Sequence, residues 1–266
     1  MGSSDVVGHP LIHLGFAYEL NSNEVAMEAL ALAATCYDLN TFTDPKLAPP
    51  LPPPSAFTPA PSSSPLELLE LLHNDPRFAQ SPFLHPGEGN IPHILSSPTL
   101  SPALREYQSA FIIPTNQKSI PLTIADLTKT AAQLLLSTAG KDGEGKYDFF
   151  VAHLLTTAWA VRSVITKVPV GMVDSLVRSH WLFVCIVYVA QQRPKIETWV
   201  SGGAGKEWDE LYRLALAHRG ERPEGVEVAD THYLKGSFAS TPPTNLPTDV
   251  LWGSGANVTG IRKAVG

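Results

Sequence analysis

The sequence predicts an all-α fold, and three observations predict it. Apolar residues recur at helical spacing in segment after segment, no run sustains an alternation of period two, and prolines and glycines collect between the periodic segments rather than inside them. The chain has 266 residues, of which 44% are hydrophobic and 17% charged. That composition is rich in core material, and the length suits one large domain or two small ones. Along its length the chain reads as a single irregular helical domain over residues 1–240, with an irregular tail over 241–266.

Residues 9–40 read as two helices. The first carries His9, Leu11, Ile12, His13, Phe16, Ala17 and Leu20, and the second runs from about Asn23 to Tyr37 with Glu24 and Glu28 beside an Ala- and Leu-rich face. The 45–65 stretch holds nine prolines in 21 residues, so it reads as a proline-rich loop inside the domain. Leu66–His73 is a short amphipathic helix, followed by a turn-rich stretch to Thr99 marked by Asp75-Pro76, His85-Pro86-Gly87 and Ser97-Pro98. A helix is predicted over Thr123–Ser137, with Thr123 as N-cap and Asp126 completing an approximate capping box. Helices follow around 147–166, 171–192 and 206–219, and a marginal one over 228–239 is interrupted by Gly236. Pro242, Pro243, Pro247 and the later glycines mark the tail.

The net charge of −6 points to neither a nucleic-acid partner nor an anionic membrane. The two cysteines, Cys36 and Cys185, lie far apart in apolar helical stretches and read as buried thiols of a reducing compartment. The N-terminus shows no secretory pattern, and the most apolar run, Trp181–Ala190, falls short of the ~20 residues of a membrane helix. A cytoplasmic location and no membrane partner are therefore expected.

Three histidine features carry candidate chemistry. In His9-Pro10-Leu11-Ile12-His13 two imidazoles four residues apart share a helical face and can reach one metal or one substrate, the bland alternative being a capping His9 and a hydrogen-bonded core His13. His153 sits in the apolar stretch Tyr147–Thr157, where burial favours the neutral, metal-binding imidazole; on its own it reads better as a core histidine bonded to a carbonyl. In Asp230-Thr231-His232-Tyr233-Leu234-Lys235 the histidine and lysine fall three apart and face the same way if the segment is helical. Gly140–Lys146 fits the spacing of a phosphate-binding loop, but Tyr147 stands where Ser or Thr is needed and Asp142 and Glu144 oppose phosphate; it reads as an interhelix loop.

Taken together and in this order, His9-Pro-Leu-Ile-His13-Leu-Gly-Phe, Asp148-Phe-Phe-x-x-His153-Leu-x-Thr156 and His232-x-x-Lys235 resemble the questin oxidase-like family, Baeyer–Villiger-type oxidases of fungal anthraquinone and aflatoxin-type polyketide pathways. The resemblance spans roughly residues 8–240. It implies an oxygenase acting on a polycyclic phenolic polyketide by oxygen insertion or ring cleavage. It also implies a non-haem iron held by His9 or His13, His153, His232 and Lys235, the lysine carboxylated, with NADPH as a further cofactor. No catalytic residue beyond these ligands is assigned. Family members carry a helical part before the His-Pro motif, so the chain is expected to be shortened there. The expected consequence is an apolar face at Leu14, Phe16, Leu20 and Ala29–Ala34, open to homodimer formation. Two rival readings are a non-catalytic helical protein that binds a ligand or partner, and a zinc hydrolase using the same histidines with Glu19 as base.

Overall fold

A computed structural model describes residues 8–35, 53–79, 83, 85–114, 119–138 and 148–196. Among these residues the chain forms helices α1 (His9–Leu20), α2 (Asn23–Thr35), α3 (Pro65–Asn74), α4 (Ile91–Ser96), α5 (Leu100–Ala110), α6 (Ile120–Ser137), α7 (Phe149–Val164) and α8 (Val170–Ala190), with 3₁₀ turns at Pro76–Phe78 and Glu88–Asn90. The described part contains no strand beyond a single parallel bridge between Ser62 and Phe111. The all-α expectation therefore stands. The predicted helices 206–219 and 228–239, the loop 140–146 and the tail 241–266 lie outside the described residues.

The core is organised around α8. Every residue from His180 to Ala190 is buried, against α5 on one side and α7 on another, with α4 and α6 completing the surround. Trp181 fixes its side toward α5 by donating from Nε1 to the Tyr107 carbonyl at 2.9 Å and lying 5.1 Å from the Phe111 ring. At 21 residues α8 is long and apolar enough to cross a membrane, twice the length of the apolar run read from the sequence, yet its apolar half forms the centre of this fold.

Local chemistry explains where the helices start. Ser64 caps α3 by accepting from Glu67 N at 3.3 Å, with Pro65 in the first turn where its missing N–H costs nothing. Asp148 caps α7 by accepting from Val151 N at 3.0 Å, while its own N–H donates to Thr138 Oγ1 at the end of α6. For α6 the predicted start is corrected: the helix begins at Ile120, and Thr123 lies inside the first turn, buried, donating its hydroxyl to Ser119 O at 3.2 Å. Pro121 misled the reading, because proline is tolerated in a first turn.

One charged network locks the region around α5. Arg77 donates to Asp75 Oδ2 at 2.7 Å, to Glu106 Oε2 at 2.9 Å and to the Phe57 carbonyl at 3.0 Å, and Tyr107 donates to Asp75 Oδ2 at 3.1 Å. Two buried carboxylates are thereby neutralised by a planar guanidinium, which also ties the proline-rich segment to the body. Burial, then the adjacent Asp75 carboxylate, push the Tyr107 hydroxyl well above its ordinary pKa and keep it a donor.

Helix α1 lies along α7 in the same direction. His9 stands beside His153, Gly15 lies against Ala160, and Glu19 reaches Trp159 and Ser163. A Cβ on Gly15 would fall 2.8 Å from both Cα and Cβ of Ala160, so glycine lets the two helices cross this closely. Gly8, which precedes α1, has φ +85°, and a Cβ there would stand 2.5 Å from Thr157 Cγ2. Helix α2 turns back along α1 and packs chiefly on it.

Candidate histidine site

The site forms where the first turn of α1 meets the first turns of α7. Asp148 holds the start of α7 in place and receives a further bond from Gln191 Nε2 at 3.4 Å, so the ends of α6 and α8 both steady the helix that carries His153. His153 is buried, and its Nδ1 lies 2.9 Å from the Phe149 carbonyl. A carbonyl only accepts, so Nδ1 carries the proton and the neutral ring presents a lone pair at Nε2. That nitrogen lies 3.3 Å from His9 Nε2. The two rings meet at 77° with centroids 5.1 Å apart, and Phe149 and Phe150 flank His153 at 4.9 and 6.4 Å.

The separation is informative. Two imidazole nitrogens at ~2.0–2.1 Å from one tetrahedral metal stand about 3.3–3.4 Å apart. The same distance suits a hydrogen bond in which His9 Nε2–H donates to His153 Nε2. The pair therefore fits two ligands of one metal, each ring only exchanging a proton arrangement for a coordination bond.

His13 does not join them. Although it shares a face with His9 in sequence spacing, its ring lies 6.4 Å from the His9 ring and its Nδ1 pairs with Glu28 Oε2 at 3.3 Å. One turn of α1 is enough to move it from the α7 side to the α2 side. His232 and Lys235 lie outside the described residues. Among the described residues no group of three or more His, Cys, Asp or Glu is placed to hold a metal. Glu19 is not a base for this pair: it lies ten residues along α1 from His9, about 15 Å at 1.5 Å per residue, and accepts from Trp159 Nε1 and, at 3.0 Å, from Ser163 Oγ.

Sequence reasoning missed His180. It is fully enclosed on α8, neither ring nitrogen has a hydrogen-bond partner among the described residues, and burial lowers its pKa to about 4. The apolar run was read as beginning one residue later, at Trp181, so His180 fell outside it. Its position before that run was the available signal. Arg193, just past α8, closes the C-terminus of α3 by donating to the His73 carbonyl at 2.7 Å, from a backbone at φ +55°.

No curated protein matches the chain. The family model described as Questin oxidase-like matches residues 2–236, nearly the whole chain and all of the described structure, and includes the positions of His9, His153, His232 and Lys235. The chain belongs to the questin oxidase-like family.

Proposed function

We propose that this oxidoreductase is an oxygenase acting on a polycyclic phenolic polyketide of the anthraquinone type, by oxygen insertion or ring cleavage at a non-haem iron. The observation that supports it most is the 3.3 Å approach of His9 Nε2 to His153 Nε2, both within the span that the family model matches. His9 and His153 are two ligands in this reading, and His232 and Lys235, the lysine carboxylated, complete the set. His13 is left to Glu28. A bound iron would supply activation of O2 beside the phenolic oxygen of the substrate. The chain's own part is to fix the two rings: the Phe149 carbonyl holds the His153 proton at Nδ1, and Gly8 and Gly15 let α1 approach closely enough to bring His9 in.

Metal analysis tests the assignment. His153→Ala and His9→Ala lose bound iron, while His13→Ala retains it and all three keep the helical circular-dichroism signal. Iron retained without His153 defeats the site. NADPH is the reductant if one oxygen atom enters the product, and a dioxygenase needs none, so NADPH oxidation measured against product separates the two.

A second reading rests on a different observation. Tyr18, Leu20, Met27 and Leu30 of the α1–α2 hairpin are exposed, the last three by 62, 65 and 64%. This face suits a partner, which we propose is a second copy of the chain. The same face would serve a non-catalytic binding protein, and loss of iron binding in every preparation would bring that reading forward.

A further inference from the structure

We propose that Thr157 is a positioning residue of the histidine pair, the seat that holds His9 against His153; the inference deepens the reading above and rests on it. His9 follows Gly8, whose carbonyl accepts the first helical bond of α1 from Ile12 N at 2.9 Å, so the ring of His9 goes where Gly8 sits. Gly8 is in the left-handed region, at φ +85°, and has no side chain of its own. A Cβ built there would fall 2.5 Å from Thr157 Cγ2 and 3.5 Å from Phe183 Cε1. The bare backbone of Gly8 therefore rests in a notch formed by the Thr157 methyl of α7 and the Phe183 ring of α8.

The other branch of the same side chain reaches the partner histidine. Thr157 is buried, and a buried hydroxyl within a helix finds its acceptor among the carbonyls three and four residues back. Here Oγ1 donates to the His153 carbonyl at 2.7 Å, with the Leu154 carbonyl at 3.1 Å. That bond fixes χ1, and with χ1 fixed the methyl has one direction, toward Gly8. One side chain thus ties the backbones of both histidines together behind the 3.3 Å contact of their Nε2 atoms. Thr156 also donates to the His153 carbonyl, at 3.2 Å, so the hydroxyl bond is duplicated. The methyl under Gly8 is the part that places His9.

The test uses the full chain, first without metal and labelled at the histidine ring nitrogens for NMR, then titrated with iron(II) against a chromophoric chelator. Thr157→Ser keeps the hydroxyl and removes the methyl; Thr157→Val keeps a methyl on the seat and removes the hydroxyl. Leu155→Ala is the packing control, because it empties a buried position two residues away, on the opposite side of α7. Thr157→Ser is expected to lose the coupling between the His9 and His153 Nε2 signals while the His153 Nδ1–H signal stays, since the Phe149 carbonyl still holds that proton. Its iron affinity should fall about tenfold, the lower end of the loss for a residue that supports a metal ligand. Thr157→Val and Leu155→Ala should keep the coupling. A coupling that survives in Thr157→Ser overturns the proposal. So does its loss in Leu155→Ala, because the pair would then respond to any loosening of α7, and so does an equal loss in Thr157→Val. A parent that shows the coupling but binds no iron defeats the proposed function, and the ring signals of the variants then decide the seat alone.

Discussion

The C-terminal halves of α8 and α2 are both almost wholly apolar, and the fold treats them oppositely. Helix α8 runs through the centre, with His180–Ala190 enclosed by α5, α7, α4 and α6. Helix α2 has one buried residue, Ala29, and presents Met27 and Leu30 to solvent. A helical stretch without a polar face is ordinarily buried, so the C-terminal half of α2 has the sequence of a core element and the position of a surface one. Charge separates the two further. Residues 1–45 contain six acidic residues and no Lys or Arg, and the remaining 19 Asp and Glu equal the chain's 19 Lys and Arg, so the whole net charge of −6 belongs to the segment that contains the α1–α2 hairpin. Hydropathy shows that a face calls for cover; it does not show which surface supplies it.

The largest effect expected from this contrast is in stability. Trp181→Ala removes a fully buried ring from α8 together with its bond to the Tyr107 carbonyl, and should cost about 3–5 kcal/mol. Leu30→Ala on α2 should stay within about 0.5 kcal/mol. Urea midpoints of the two variants measure the difference, and comparable losses would show that α2 is enclosed in solution.

The next effect depends on pH and belongs to α8 alone. Burial holds the folded pKa of His180 at about 4, below the unfolded value near 6.5. The unfolded chain therefore binds more protons between those values, and the contribution is complete above pH 6.5 and lost as pH falls toward 4. The loss amounts to about 3 kcal/mol. His180→Leu removes the enclosed imidazole, whose two nitrogens have no partner among the described residues. Its stability should decline less over this range than that of the parent, and also exceed the parent's at pH 7, since an unsatisfied buried polar group costs about 1–3 kcal/mol. An unchanged pH slope in His180→Leu places the proton uptake elsewhere.

These two helices also show what was legible in the sequence. The α7–α8 pair was readable because Asp148 is an effective cap and the apolar run that follows is unbroken. Helix α5 was not read, though Leu100, Ala103, Leu104 and Tyr107 keep helical spacing and are all buried. Ser97-Pro98 and Pro102 obscured it, and its start depends on Ser97 Oγ accepting from Leu100 N at 3.1 Å, a bond inside what looked like a turn. At the site, the spacing of His9 and His13 showed that both could share a face. It could not show that Glu28 draws one away while His153 meets the other, because that choice is made by neighbouring helices and not by α1.

A smaller effect joins the two regions. Gly15→Ala gains helix propensity of about 1 kcal/mol but inserts a methyl 2.8 Å from Ala160, an overpacking that costs about 1–3 kcal/mol. The net destabilisation should be modest, about 1 kcal/mol. The sharper readout is iron affinity, which should fall because α1 must move away from α7 and carry His9 with it. Undiminished iron affinity would mean that His9 is not positioned by this contact.

The smallest effect concerns what covers α2. If two copies associate through the α1–α2 face, they bring Leu20, Met27 and Leu30 together with the exposed Glu24 and Glu28 of each copy as a like-charged rim. Apolar burial favours the dimer and like charges oppose it, so association should strengthen as salt screens the rim; the screening length shrinks from about 10 Å at 0.1 M to about 3 Å at 1 M. Leu30→Glu adds a charge to the apolar centre and should give a monomer at every salt concentration, with a urea midpoint within error of the parent monomer because the position is exposed. Sedimentation velocity across that salt range reads both effects. A dimer that weakens with salt, or one that survives Leu30→Glu, would place the interface away from this hairpin and leave α2 to a different partner.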